Sequence, residues 1–179
     1  EESINALKSC AAATNKHIRA VALFTIGKLR LANTLESLEI VTPPYDAAIS
    51  CLHDWAVARI HPSDTLATTR AIESLSDQIH ASKNNSSFDE EELLYLFLPA
   101  MASLYEMASD QSQEVITQSI TPLLASPEVV IRTHTLSVVL ENNIPTTEVI
   151  AASLRANHTR KFALETLAHF GQDSKKTTV

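Results

Sequence analysis

Apolar residues return every three or four positions along almost the whole chain, and the interruptions fall on clusters of Pro, Asn and Ser. That pattern predicts short amphipathic helices joined by polar turns. The first hairpin is Ser3 to Ala13, the turn Thr14, Asn15, Lys16, and a second helix from His17 to about Ala32, with Ile18, Ala22, Leu23, Ile26 and Leu29 on one face. Thr42, Pro43, Pro44 then stops the chain, because a proline biases the residue before it away from helical backbone. Tyr45 to Ile60 resumes with Ile49, Leu52, Trp55 and Ala56 turned inward. After His61 and Pro62, Ser63 is the expected cap of a helix from Asp64 to about Ser82, whose inner face is Leu66, Ile72, Leu75 and Ile79.

Lys83 to Ser87 reads as an exposed connection. Asp89 to Ser109 is the next helix, kinked or split at Pro99, and it starts with the acidic run Asp89, Glu90, Glu91, Glu92, which suits the positive end of a helix dipole. Gln111 to Ala125 is a helix perturbed by Pro122. Ser126 and Pro127 predict the cap and first position of a helix reaching about Asn142. Thr146 to Ala156 and His158 to Phe170 form a last hairpin around Asn157, closed by Gly171 as a C-terminal cap. The expectation is an all-α chain of nine or ten helices in one domain, residues 1–171, followed by a flexible tail, residues 172–179.

Within this pattern three segments align on one arginine: His17 to Leu29 (HIRAVALFTIGKL), Val130 to Asn142 (VIRTHTLSVVLEN) and Thr159 to Phe170 (TRKFALETLAHF). Counting from Arg19, Arg132 and Arg160, the third and fourth positions onward are Ala22 and Leu23, Thr135 and Leu136, and Ala163 and Leu164. The seventh are Ile26, Val139 and Leu167. Arg132 and Arg160 are 28 residues apart and Arg19 precedes Arg132 by 113, close to four such periods, which is the spacing of one helical hairpin per period. Such a hairpin cannot bury both of its apolar faces alone, so each must stack on a neighbour, and small residues such as Ala22 and Ala163 let helix axes approach.

A short polar turn, Val/Ile-Arg, two residues, Ala-Leu and a later leucine resembles the short HEAT-like repeats, including the type found in phycobilisome-lyase-like proteins. The resemblance covers the first hairpin and the last fifty residues. It is poor between Asn33 and Ser126, where Thr69, Arg70, Ala71, Ile72 begins alike but places its later apolar residues out of phase. It implies an α-α superhelix, a right-handed solenoid of stacked hairpins that binds or scaffolds other proteins through the surface of its successive second helices. It also implies that Arg19, Arg132 and Arg160 each meet an acidic or backbone acceptor across the turn, with a ligand-binding ladder as a second role for the three.

Composition narrows the class. Apolar residues are 45% and charged residues 20%, the balance of a folded globular chain. The two glycines, Gly27 and Gly171, are too few for β-hairpins or phosphate-cradling loops. Two cysteines, Cys10 and Cys51, exclude a disulfide-dense scaffold or a thiolate zinc site; they read as small buried residues, with a single bridge as the alternative. No apolar stretch is long enough to span a bilayer, so no membrane insertion is expected. The sequence opens at Glu1 without Met or apolar leader, which fits a mature secreted chain, an excised domain, a trimmed chain or one segment of a longer solenoid, and it leaves the compartment open between cytoplasmic and secreted.

Charge is uneven. Residues 33–130 hold fifteen Asp and Glu against three Lys and Arg, whereas both ends are mildly basic. This argues against a general nucleic-acid-binding face and suits either a basic protein or peptide as partner or ordinary solubility, with Glu90, Glu91 and Glu92 the densest acidic run. Candidate chemistry is confined to one constellation. His53 followed by Asp54, with His17 upstream and Asp110 downstream, is similar to the ligand order of metal-dependent HD phosphohydrolases. The small residues that follow the dipeptide in that family are missing, and the two side chains are expected on different faces of one amphipathic helix, so no catalytic residue, metal or cofactor is assigned. HExxH, CxxC and glycine-rich phosphate motifs do not occur.

Overall fold

The computed structural model describes residues 2–38, 46–84 and 88–144. Among these, the chain forms α1 (Glu2–Ala11), α2 (Lys16–Lys28), α3 (Ala32–Glu36), α4 (Ala47–Ile60), α5 (Thr65–Asn84), α6 (Phe88–Ala102), α7 (Asp110–Ile120) and α8 (Val129–Glu141), with 3-10 turns at Tyr105–Met107 and Thr121–Ala125 and no strand. The Pro43-Pro44 break, the last hairpin with Arg160 and Gly171, and the C-terminal tail lie outside the described residues. The chain divides into two compact units, Glu1–Ile116 and Thr117–Val179.

In the first unit the starts of α2, α4 and α5 are each set by a short polar side chain. Asn15 caps α2, its Oδ1 accepting from the backbone N–H of His17 at 2.9 Å and Ile18 at 3.1 Å. Asp46 caps α4 through the N–H of Ile49. Asp64, one residue after the expected Ser63, caps α5 through the N–H of Ala67 at 2.9 Å. Helix α4 is the hub, packing against α2, α3, α5 and α6. Its Trp55 is buried, stacks on Phe24 with ring centroids 5.0 Å apart and planes at 10°, and donates from Nε1 to Ser103 Oγ at 3.0 Å. One turn on, Arg59 donates to the Ser103 carbonyl at 3.3 Å, so Ser103 at the end of α6 is tied to α4 twice. Beneath Trp55 lies Gly27: a Cβ there would come within 2.9 Å of Trp55 Cε3 and 3.0 Å of the Ala56 Cα. The missing side chain lets α2 meet α4 backbone to ring.

Three residues expected on inner faces are exposed: Ile18 (45%), Leu29 (60%) and Leu66 (68%). The reason in α2 is angular. The buried arc is Arg19, Ala20, Ala22, Leu23, Ile26 and Gly27, and Ile18 and Leu29, eleven residues apart, lie together just beyond its edge. Other boundaries also move. Helix α2 ends at Lys28 rather than Ala32, α5 runs on through Lys83 and Asn84, and α6 continues through Pro99 without dividing. Helix α7 stops at Ile120, where Pro122 imposes a 3-10 turn. Helix α8 starts at Val129 with Glu128 as its N-cap residue, not at Pro127. The count among described residues is eight α-helices.

The described part of the second unit centres on α8 packed on the 3-10 turn before it, with Leu123, Leu124, Ile131, Leu136, Val138 and Val139 buried. Helices α2 and α8 are built alike. Each has 13 residues, each carries its aligned arginine at the fourth position, and each buries the aligned trio: Ala22, Leu23, Ile26 in one, Thr135, Leu136, Val139 in the other. They also end alike. Arg30 and Asn143, each eleven residues after the arginine, adopt positive φ of 53° and 51°. The N–H groups of Arg30 and Leu31 return to the carbonyls of Gly27 and Ile26, and those of Asn143 and Ile144 to Leu140 and Val139, two Schellman closures in the same register. In the third segment the eleventh residue after Arg160 is Gly171. Left-handed backbone costs a residue that carries a Cβ about 1 kcal/mol or more, so Arg30→Gly should stabilise the first unit by about 1 kcal/mol in thermal unfolding.

Neither cysteine is bridged: Cys51 is buried as expected, but Cys10 is exposed. The difference follows from α1, which contacts α2 yet buries none of its own residues. Among the described residues no helix is long and apolar enough to cross a membrane.

Candidate functional site

The polar ends of four helices meet in the first unit. The start of α2 brings Lys16, the cap and first turn of α4 bring Asp46, Ala47 and Ala48, the last turns of α5 bring Gln78, Ala81 and Ser82, and α6 brings Leu93 and Phe97; together they line a cavity of about 180 Å³. The lining combines the buried Ala48, Leu93 and Phe97 with the polar side chains of Lys16, Asp46, Gln78 and Ser82. Ser82 Oγ is engaged by the Gln78 carbonyl at 2.8 Å. Such a cavity can seat an extended side chain with a polar end. None of the described residues lining it is a His or Cys.

Two side-chain pairs stand at this end of the unit. Arg19 Nη2 donates to Asp46 Oδ2 at 2.9 Å, and the pair is largely buried, with side-chain exposures of 10% and 16%. Asp46 therefore does two jobs: one oxygen caps α4, the other neutralises an arginine near the start of α2, where the helix dipole disfavours a cation. His17 Nδ1 lies 3.4 Å from Glu92 Oε2, linking the start of α2 to the acidic start of α6. Glu92 is exposed, and Glu90 and Glu91 precede it in the same helix, their side chains outside those described.

In the second unit Arg132 finds backbone acceptors across its turn, the carbonyls of Ser126 and, at 2.8 Å, Pro127. Arg19 and Arg132 thus both hold their own chain, one to a carboxylate and one to carbonyls. The third, Arg160, lies outside the described residues.

The HD-like constellation is not assembled as a donor set. Among the described residues no group of three or more His, Cys, Asp and Glu is placed to hold a metal ion. His17 Nδ1 is near Glu92, and His53 Nδ1 lies 3.9 Å from Asp54 Oδ1. Sequence reasoning missed Asp46, Lys16, Gln78 and Ser82. Asp46 had a legible signal as a short acidic residue before an apolar helix, but its partner 27 positions away had none. No family model matches the sequence, and no curated protein or solved structure gives a match.

Proposed function

We propose that this chain is a HEAT-like helical-repeat module that binds another protein, receiving a basic segment at the acidic start of α6. The observation that carries the reading is the equivalence of α2 and α8: equal length, the arginine in the same place, the same buried trio and the same left-handed closure eleven residues later. Gly171 at the corresponding position of the third segment extends the register in the sequence. Repeats of this kind stack to give continuous surfaces, and their usual work is binding through them, an inference from architecture to role. The excess of acid between residues 33 and 130 sets the charge of the partner, and exposed Glu92 with Glu90 and Glu91 offers the densest part of that field.

A lysine-rich helical peptide, compared with the same peptide carrying glutamate at each lysine, tests the reading. The lysine peptide should bind, and binding should weaken as salt screens the field. Reversing Glu90, Glu91 and Glu92 to lysine should slow its association about tenfold, while thermal stability changes by no more than about 0.5 kcal/mol, as for exposed charges away from the core. If binding ignores both salt and the reversal, the acidic run serves solubility alone.

A further inference from the structure

Helix α2 carries a second face that is left exposed among the described residues. Ile18, Val21 and Leu29 are 45%, 52% and 60% exposed and, with Thr25, follow one another at three-, four- and four-residue steps along a single strip. The Thr25 hydroxyl donates to the Val21 carbonyl at 2.8 Å, so no unsatisfied polar group interrupts the strip. Three turns separate its ends, about 16 Å. Singly exposed apolar side chains are ordinary, but a row of them at helical spacing is the form of a helix-packing seam.

The two ends of the strip have opposite charge. Beside Ile18, His17 is held by exposed Glu92. Beside Leu29 stand Lys28 and Arg30, both exposed, and no Asp or Glu occurs between residues 3 and 35. Burial, and after it the nearby Arg30, hold the Arg59 guanidinium below its ordinary pKa. An apolar strip with an acidic end and a basic end is complementary to itself when a second strip runs the other way. A two-fold axis through its middle would lay Ile18 of one copy beside Leu29 of the other, and Glu92 of each copy against Lys28 and Arg30 of its mate. That is the requirement of an isologous interface, in which residue i meets j and j meets i.

We infer that α2 pairs antiparallel with α2 of a second copy of this chain, through Ile18, Val21 and Leu29 with Glu92 facing Lys28 and Arg30. This goes beyond peptide binding at the start of α6. One three-turn strip covers less than the roughly 800 Å² per partner of a standard interface, so the dimer is a weak one, formed at high protein concentration and loosened by salt.

Sedimentation equilibrium across micromolar to millimolar concentrations, at low and high salt, reads it directly. The expected result is a monomer–dimer equilibrium, weakened about tenfold by Val21→Asp, which buries an unpaired charge at the seam. Glu92→Lys should weaken it too, and combining Glu92→Lys with Lys28→Glu and Arg30→Glu should restore it, because the swapped ends again face opposite charge. Circular dichroism checks that each variant folds, and Val21 is exposed, so its replacement spares the core. A chain that stays monomeric throughout, a dimer indifferent to Val21→Asp, or a charge swap that restores nothing would overturn the inference. Val21→Asp leaves Glu90, Glu91 and Glu92 in place, so lysine-peptide binding survives it if the proposed function is right, and the two readings fail separately.

Discussion

Replacing Asp46 with alanine should destabilise the first unit by about 4 kcal/mol, measured by urea unfolding. Two losses combine. Removing one member of a buried ion pair leaves the other charge without compensation, which costs about 3–5 kcal/mol when burial is complete. The exposures of 10% and 16% place this pair toward the lower end of that range. The N-cap of α4 goes with it, a further 1 kcal/mol or so. Arg19→Met in the same background should recover much of the loss, since it removes the stranded guanidinium and keeps an apolar stem in place. A loss in Asp46→Ala no greater than an ordinary cap deletion would mean that the Arg19 contact contributes nothing.

Gly27→Ala should be the second-largest single effect, and its sign runs against helix propensity. In an exposed helix this change stabilises by about 1 kcal/mol. Here the added methyl meets the Trp55 ring and the Ala56 backbone, the latter at 3.0 Å, and backbone cannot swing aside as a flexible side chain can. Overpacking of this kind costs roughly 1–3 kcal/mol or more, so a net loss of about 2 kcal/mol is expected. With Trp55→Leu already present the ring is gone, and the same substitution should become neutral or favourable. A thermal-unfolding cycle of the two single variants and the double variant reads this coupling.

Most helices were legible because periodicity and capping are local. Ile49, Leu52, Trp55, Ile72, Leu75 and Ile79 lie inside as their spacing required. Periodicity could not say which of two adjacent apolar arcs of α2 is covered, since Ala22, Leu23 and Ile26 form one and Ile18, Val21 and Leu29 another. Only the helix that packs on it decides, and α4 is far along the chain. The same distance hides the site. Asp46 reads as a cap from sequence, whereas its bond to Arg19 and the cavity beside it depend on how four helix ends converge. Pro99 does not divide the helix, because α6 runs on to Ala102 with Leu98, Ala100 and Met101 buried on either side of it. One signal was present in the sequence and unread there, the shared eleven-residue step from Arg19, Arg132 and Arg160 to Arg30, Asn143 and Gly171.

The unlike surroundings of the two cysteines make the natural sequence ready for spectroscopy. Burial, more than the neighbouring Asp54 carboxylate, drives the Cys51 thiol far above its ordinary pKa, and its Sγ sits 3.2 Å from the Ala48 carbonyl, so at neutral pH it offers neither thiolate nor access. Cys10 is exposed on α1, the neighbour of α2. A maleimide spin label or fluorophore will therefore react at Cys10 alone, with no substitution needed. Each copy then carries one reporter, and pulsed dipolar spectroscopy or energy transfer between differently labelled copies can follow their approach at concentrations where sedimentation sees mostly monomer.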